Sequence, residues 1–328
     1  MTLCQLSDSD STRYFDGSDA DLTGAEGDVF VKLPAFYYKL TEVSTDVWGL
    51  QFELGEDSPG DGWIKWDTNA LIGAYEAHFA NSGGVIKIYS RSGVNSSGNA
   101  TQASYKTMAR NRGTGFQLVD WQMHCVMALL YFSEYGHTNS QDKIGAGTDS
   151  CDKVCGQTNS CGMNDTKGAN PVSGLNDSGV DGNTQSINFW GLENWWGNKY
   201  EFIDNVVVNN SVWKITEPDG TERTASKSGY NSYGYISQLL FDGGDLIPRK
   251  VSGGDTFGFC DYYSYRGGTA QVVKRSFDNS NVYCGVVYVD TDHDSSKAYL
   301  SIGSRLAFRG TCEISENVST FKSLSAIG

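Results

Sequence analysis

Three groups of residues in this sequence have types and spacings that could support chemistry. Glu201 has aromatic and apolar neighbours in GLENWWGNKYEFID, residues 191–204, where its carboxylate could act as a general base. Cys151, Cys155 and Cys161 are close enough in sequence to contribute to a zinc site or to form a loop disulfide. The DTDHD segment, residues 290–294, offers three carboxylates to one hard cation such as Ca²⁺.

Each of these groups lacks a partner that its chemistry requires. A single carboxylate does not make an acid–base pair, and a structural zinc ion needs a fourth ligand, for which His137 is the nearest candidate. In the DTDHD segment, Ser295 and Ser296 follow where a calcium-binding loop would have Gly. We therefore expect no catalytic residue, no metal and no cofactor, and we favour a loop disulfide over zinc for the three cysteines.

The composition excludes several classes of partner. The chain has 328 residues and a formal net charge of -14, and it has no cluster of Lys and Arg that could bind phosphates. It has no apolar run long enough to span a membrane, and its amino terminus lacks the pattern of a signal peptide. We expect a soluble protein that is not classically secreted and that neither binds nucleic acid nor inserts into a membrane.

The elements that position these groups can be read from local patterns. Residues 1–25 are polar and predict an extended arm or linker. DVFVKLPAFYYKL predicts strand structure broken by Pro34, and WGLQFEL and GVIKIYS predict two more strands. One helix is expected over residues 102–111, and a second, buried helix from a capping box at Thr114 and Gln117 to Gly136.

The rest of the chain predicts loops and short strands. Residues 145–188 are rich in Gly, Asn, Ser and Asp, as in a long loop, and YEFIDNVVVNNSVWKIT predicts a hairpin that turns at Asn209 and Asn210. Short strands and glycine-rich turns continue to Cys312, and residues 313–328 form a polar tail. Few helices among many short strands predict an α+β fold with one domain over residues 26–312.

Three motifs occur in the order found in a known group of proteins. GNKYEFID, residues 197–204, resembles the G-N-x-W-E-W-x-x-D element of the formylglycine-generating, sulfatase-modifying family. RGG at residues 266–268 resembles its R-G-G-S-W element, and IGSRLAF at residues 302–308 resembles its G-F-R element. The resemblance implies a C-type lectin fold with short antiparallel strands and long loops. It extends to variable proteins of diversity-generating retroelements, including phage tropism determinants, and to structural proteins of gut bacteriophages.

The resemblance implies a framework that carries a display surface. A buried charge needs a charged partner, so we expect Glu201 and Arg266 to brace loops. The expected framework residues are Trp195, Trp196, Glu201, Arg266, Gly268, Gly303 and Arg305. The variable interval of that branch falls here at about residues 260–305, so the expected ligand-binding positions are Thr269, Gln271, Lys274, Tyr283, Tyr288, Asp290, Asp292, His293, Lys297 and Tyr299.

The expected function is recognition rather than catalysis. The resemblance implies a receptor-binding protein that is produced in the cytoplasm of the host and lies at the tail or fibre tip of a virion. There it would contact other virion proteins and a bacterial cell-surface protein or glycan. One alternative is a formylglycine-generating-like oxidase, but those enzymes use a pair of cysteines between the second and third motifs, and this chain has only Cys284 there. A purely structural virion module is a further alternative, favoured if the tyrosine-rich interval is buried.

Overall fold

The structure is a computed structural model that describes residues 2–6, 13–16, 24, 27–44, 47–145, 147, 186–225, 228–276 and 284–314. Strands make up 44% of the described residues and helices 12%, so the fold is mostly β and the prediction of an α+β class is wrong. The helical share is small because much of the chain after residue 186 forms short strands joined by turns.

The first sheet has seven strands and includes the amino-terminal segment. Its order is β10-β23-β7-β3-β1-β2-β24. The bounds are β1 Thr2–Leu6, β2 Arg13–Asp16, β3 Asp28–Lys32, β7 Ala70–Gly73, β10 Phe116–Leu118, β23 Leu306–Arg309 and β24 Glu313–Ile314. Because β1 pairs with both β2 and β3 and buries Cys4 and Leu6, the described part of residues 1–25 belongs to the domain and is not an extended arm.

The second sheet contains the strands that carry the sequence motifs. Its order is β15-β14-β13-β20-β21-β19-β16, and β22 pairs in parallel with β13. The bounds are β13 Tyr200–Asn209, β14 Val212–Thr216, β15 Glu222–Thr224, β16 Gly234–Tyr235, β19 Tyr262–Tyr265, β20 Gln271–Arg275, β21 Val289–Asp294 and β22 Ile302–Ser304. The predicted hairpin is confirmed, because β13 and β14 meet at a turn where Asn210 has a φ of 53°.

Smaller sheets complete the β structure. They join β5-β4-β6, β8-β9, β11-β12 and β17-β18. The bounds are β4 Phe36–Ser44, β5 Val47–Leu54, β6 Ile64–Lys65, β8 His78–Ser82, β9 Val85–Tyr89, β11 Asn188–Phe189, β12 Leu192–Glu193, β17 Gln238–Asp242 and β18 Asp245–Lys250. The chain leaves β3 before Pro34 and resumes strand structure after it, as predicted.

The three described helices are α1 Gln102–Arg110, α2 Trp121–Tyr135 and α3 Ser140–Ile144. The predicted start of α2 is wrong, because residues 116–118 pair with β23 and Asp120 caps the helix by accepting from the Met123 N–H at 2.9 Å. The helix ends at Gly136 in the left-handed conformation, as predicted. It is buried along most of its length, as its continuous apolar character predicts.

Apolar side chains cover both faces of β13. Ile203 belongs to the larger buried cluster, which also contains Trp121 and Trp213, whereas Phe202 belongs to a smaller cluster with Tyr105 and other aromatic residues. Since neighbouring residues of a strand point to opposite faces, this strand lies between two apolar layers. Glu201 is therefore enclosed, and it must find its partners inside the protein.

Candidate functional site

Glu201 is the centre of a buried charge network. Its side chain is 1% exposed and lies between Arg275, which faces it across the β13–β20 pairing, and Arg305, just beyond β22. Arg305 donates from Nη2 to Oε1 of Glu201 at 2.9 Å and from Nε at 3.2 Å, and Arg275 donates to Oε2. Two guanidinium groups thus hold one carboxylate, which satisfies the need of a buried charge for paired partners.

Arg305 also fixes segments that are distant in sequence. Its two terminal nitrogens donate to the carbonyls of Gly73 and Ala74, each at 3.0 Å, and to those of Glu193 and Asn194 at 2.7 and 3.1 Å. The side chain of Arg305 therefore joins the end of β7, the segment just before Trp195 and Trp196, and β13. This contact pattern uses the planar fork of donors that arginine has and lysine lacks.

The two tryptophans of the motif pack beside this network. The guanidinium of Arg275 lies 3.5 Å from the ring centroid of Trp195 and donates to the carbonyl of the same residue. Trp196 is fully buried and its indole N–H donates to the Gly145 carbonyl at 2.7 Å. Both the rings and the backbone of Trp195 and Trp196 therefore hold this loop in place. This part of the GLENWWGNKYEFID segment has a structural role.

Gly303 and Glu76 show that the residues around the network are closely packed and buried. At Gly303 a side-chain Cβ would lie 2.9 Å from the Ser97 carbonyl oxygen, so only glycine fits there without a shift. Glu76 is buried and accepts from the Asn198 amide. Burial raises the pKa of Glu76 to about 7, and repulsion by the Glu201 carboxylate adds to this rise.

Arg266 does not belong to this network. It is exposed, so the prediction that Arg266 is a buried charge that braces loops is wrong. The RGG segment instead follows β19 directly, and its Gly268 has a φ of 127° and donates its backbone N–H to the Asn210 side-chain oxygen at 3.2 Å. Arg275 is instead the buried arginine of the network. Its position in QVVKRS, beside apolar β-branched residues, is the sequence feature that could have indicated this.

The expected display positions divide into buried and accessible groups. Thr269 and Tyr299 are exposed, and Asp292, His293 and Lys297 are half-buried. Gln271, Lys274, Tyr288 and Asp290 are buried, with Lys274 and Tyr288 at 0%, so the prediction that these four face a ligand is wrong. For Gln271 and Lys274 the reason is that both faces of β20 are covered, with Val272 in the smaller apolar cluster and Val273 in the larger one. Tyr283 lies outside the described residues.

Lys274 forms the centre of a second charge cluster. Its ammonium lies 2.9 Å from an Asp290 carboxylate oxygen, 3.3 Å from Asp292 and 2.7 Å from Nδ1 of His293, and 4.5 Å from the ring centroid of Tyr200. One ligand atom from each of Asp290, Asp292 and His293 lies within 4.8 Å of the others, as in a metal site. The lysine ammonium contacts all three groups, so the cluster already holds a cation of its own.

Burial affects the protonation of this cluster. It raises the pKa of Asp290, and the positive charge of Lys274 opposes that rise. We infer that Asp290 stays ionised beside the ammonium, because a buried lysine cation without a charged partner would be strongly unfavourable. The DTDHD segment is therefore mainly an internal ion-pair cluster whose outer members, Asp292 and His293, reach the surface.

Accessible aromatic side chains lie on the outer strands of the second sheet. The rings of Tyr235 and Tyr262 are 5.5 Å apart between β16 and β19, and Tyr233 lies 6.5 Å from Tyr262. We call these three residues the tyrosine edge. Tyr233 is 65% exposed and the other two are half-buried. None of the three is among the expected binding positions, although the Tyr, Ser, Gly and Asn content of SGYNSYGY, residues 228–235, is a signal for such a surface.

The accessible expected positions form a neighbouring feature on β21 and the loop after it. The rings of His293 and Tyr299 are 5.9 Å apart in an edge-to-face arrangement, and Tyr299 is 46% exposed. We call Asp292, His293, Lys297 and Tyr299 the histidine loop. Because β21 pairs with β19, which carries Tyr262 of the tyrosine edge, both features belong to the last three strands in the order of the second sheet.

The cysteines provide no described reactive site. Cys125 and Cys260 are buried, and burial raises the pKa of both thiols, which disfavours the thiolate that nucleophilic chemistry needs. Cys284 is also buried. The predicted loop disulfide among Cys151, Cys155 and Cys161 lies outside the described residues.

Comparison with known proteins gave no match, either to a family model or to a curated protein. Among the helices that the structure describes, none is both long and apolar enough to cross a membrane. A function for the chain must therefore be inferred from the geometry of these clusters and from the sequence motifs.

Proposed function

We propose that this chain is a non-enzymatic receptor-binding protein of a bacteriophage particle, with a C-type lectin fold, that recognises a bacterial surface protein or glycan. The observation that carries the proposal is the placement of accessible tyrosines on strands next to a tightly fixed buried framework. The family resemblance of the three motifs supports the choice of fold and of particle.

The framework supports binding because it fixes the strands beneath the accessible residues. On β20, Arg275 belongs to the Glu201 network and the preceding residue, Lys274, anchors β21 through Asp290. β21 in turn pairs with β19, which carries Tyr262. A surface held in this way loses little conformational entropy on binding, which favours affinity.

The accessible residue types are those that suit recognition. A tyrosine has a large amphipathic ring and few rotatable bonds, so it can bury much area at a small entropic cost. The tyrosine edge and the histidine loop add hydroxyl, imidazole and carboxylate groups to these rings. The binding face we propose consists of these two features and Thr269, and it leaves out the buried positions Gln271, Lys274, Tyr288 and Asp290.

Adhesion of a surface variant to bacteria tests the proposal. The variant replaces Tyr233, Tyr262 and Tyr299 with Ser, and the labelled protein is measured by flow cytometry on a panel of intestinal bacterial isolates. We expect the parent to bind at least one isolate and the variant to bind it at least tenfold more weakly, since truncation of a central tyrosine commonly costs about 2 kcal/mol or more.

A matched control separates recognition from general stickiness. Val43, Val47 and Leu54 are exposed apolar residues of the β4–β5 hairpin, at 68%, 53% and 75%, and a variant with Ser at all three should adhere like the parent. Circular dichroism and thermal melting must show that both variants fold. Equal adhesion of the tyrosine variant and the parent would refute the proposed face, and a parent that binds no isolate would count against the receptor-binding role.

A further inference from the structure

A polar groove lies at the other end of the second sheet. It has a volume of about 780 Å³ and lies between α1, residues 113–117, β13 and the β14–β15 hairpin. We call it the α1–β14 groove. In the strand order β15-β14-β13-β20-β21-β19-β16, it adjoins the first three strands, whereas the tyrosine edge belongs to the last two. The groove is therefore separate from the proposed receptor-binding face.

We propose that the α1–β14 groove binds a short acidic saccharide, with Arg110 contacting the carboxylate of the sugar and the opposite wall contacting its hydroxyl groups. This site goes beyond the proposed function, because it uses none of the residues of the tyrosine edge or the histidine loop. The proposal depends on the charge of Arg110, on the polar groups of the walls and on an unpaired donor in an adjoining cavity.

The first observation is a cation that lacks a partner. Lys106 and Arg110 are four residues apart on α1 and share one face of that helix. Lys106 is neutralised by Asp204, whose carboxylate lies 2.9 Å from its ammonium. Arg110 is exposed and has no ion-pair or hydrogen-bond partner among the described residues. In a chain with a net charge of -14, an unpaired guanidinium at the wall of a groove favours a ligand carboxylate, which it can bind through two donors.

The second observation is the alternation of donors and acceptors on the walls. On the hairpin side, Lys214 lies 3.2 Å from Glu222, and the Thr216 side chain is exposed. The Gln117 amide nitrogen lies on the opposite side and donates to Asp120 at 2.9 Å. The side-chain carbonyl oxygen of Gln117 is not used in this bond and can accept from a ligand. A sugar hydroxyl donates and accepts at once, so it suits walls of this kind better than an apolar ligand does. The volume is within the range of about 300–1,000 Å³ that is usual for small-ligand sites.

The third observation concerns a small cavity next to the groove. A cavity of about 100 Å³ shares Asn205 and Glu217 with the groove, and Trp121 lines it. The indole N–H of Trp121 is buried and has no hydrogen-bond partner among the described residues. A buried donor without an acceptor is unfavourable, so an occupant that supplies one is expected there. A ligand hydroxyl, or a water that bridges to it, supplies such an acceptor.

Ligand-observed saturation-transfer NMR with the full chain tests the proposal. The probes are digalacturonate and sialyllactose as acidic saccharides, lactose as a neutral saccharide, and inorganic phosphate as an anion without a sugar. We expect at least one acidic saccharide to bind at about 1 mM and lactose to bind about tenfold more weakly, as the loss of one charge-assisted contact implies.

Two matched variants locate the site. Arg110→Gln should lower the affinity for the acidic saccharide about tenfold, to that of lactose, whereas Arg249→Gln removes the same charge from an exposed position on β18 and should change nothing. Binding of phosphate as tight as that of the saccharides, no binding of either acidic saccharide, or an unchanged affinity of the Arg110 variant would each overturn the proposal. Loss of cell adhesion in the tyrosine variant with saccharide binding retained would show that the two sites are independent.

Discussion

Substitution of Arg275 by Met tests whether the buried charge network holds the fold together. Methionine fills much of the same space but cannot donate hydrogen bonds, so the variant leaves only a small void. The change removes one charged partner of Glu201, the donor to the Trp195 carbonyl and the cation over the Trp195 ring. All these groups are buried, so water cannot replace what is lost.

The magnitude follows from what remains in the network. Removal of one partner of a buried ion pair costs about 3–5 kcal/mol because a charge is left without compensation. Arg305 still contacts Glu201 at 2.9 Å, which favours the lower part of this range, whereas the unpaired Trp195 carbonyl adds about 1–3 kcal/mol. We expect the free energy of unfolding to fall by about 4 kcal/mol.

Urea denaturation followed by tryptophan fluorescence measures this change. With a slope of about 3 kcal/mol/M, the midpoint of the Arg275→Met variant should fall by roughly 1–2 M. Arg266→Met is the matched control, since Arg266 is exposed and its loss should change the free energy by no more than about 0.5 kcal/mol. Equal midpoints for the Arg275 variant and the parent, or a larger loss for the Arg266 variant, would refute the assignment of the network.

Two further predictions concern two other buried titratable residues, Lys274 and Asp261. Lys274→Met should lower the free energy of unfolding by about 3–5 kcal/mol because it leaves Asp290 unpaired, whereas Lys297→Met should be nearly neutral; similar thermal midpoints for the two would mean that Lys274 is a surface residue. Burial raises the pKa of Asp261 from 3.8 to about 8, so the folded state holds a proton that the unfolded chain releases above about pH 4, and stability should fall as the pH rises through this window. As the pH rises, the urea midpoint should fall less for Asp261→Asn than for the parent, and as much for the exposed Asp219→Asn as for the parent. The same dependence of the midpoint on pH in the parent and both variants would contradict the protonation of Asp261.

The sequence alone determined the features that depend on neighbouring residues. It predicted α1, the strands on either side of Pro34, the turn of the β13–β14 hairpin and the buried character of α2, because capping, proline geometry and local apolar patterns act over a few residues. It also indicated that the charged residue Glu201 would need a partner, since its neighbours are apolar.

Only the tertiary structure decided which residues meet. Arg275 rather than Arg266 pairs with Glu201, because strand pairing between β13 and β20 sets the two residues opposite each other. Residues 116–118 became a strand and not the first turn of a helix because β23, almost two hundred residues away in sequence, pairs with them. Such long-range contacts outweigh local propensity, and a local pattern does not contain them.

The division between buried and accessible positions on β20 and β21 also required the tertiary structure. Alternation predicts which residues face solvent only when one face of a sheet is open, and here apolar clusters cover both faces of β20. Lys274 and Asp290 are polar by type but buried, because each supplies the charge that the other needs. Residue type alone therefore identified an interval rich in polar and aromatic groups, whereas the packing of the sheets determined which of them a ligand can reach.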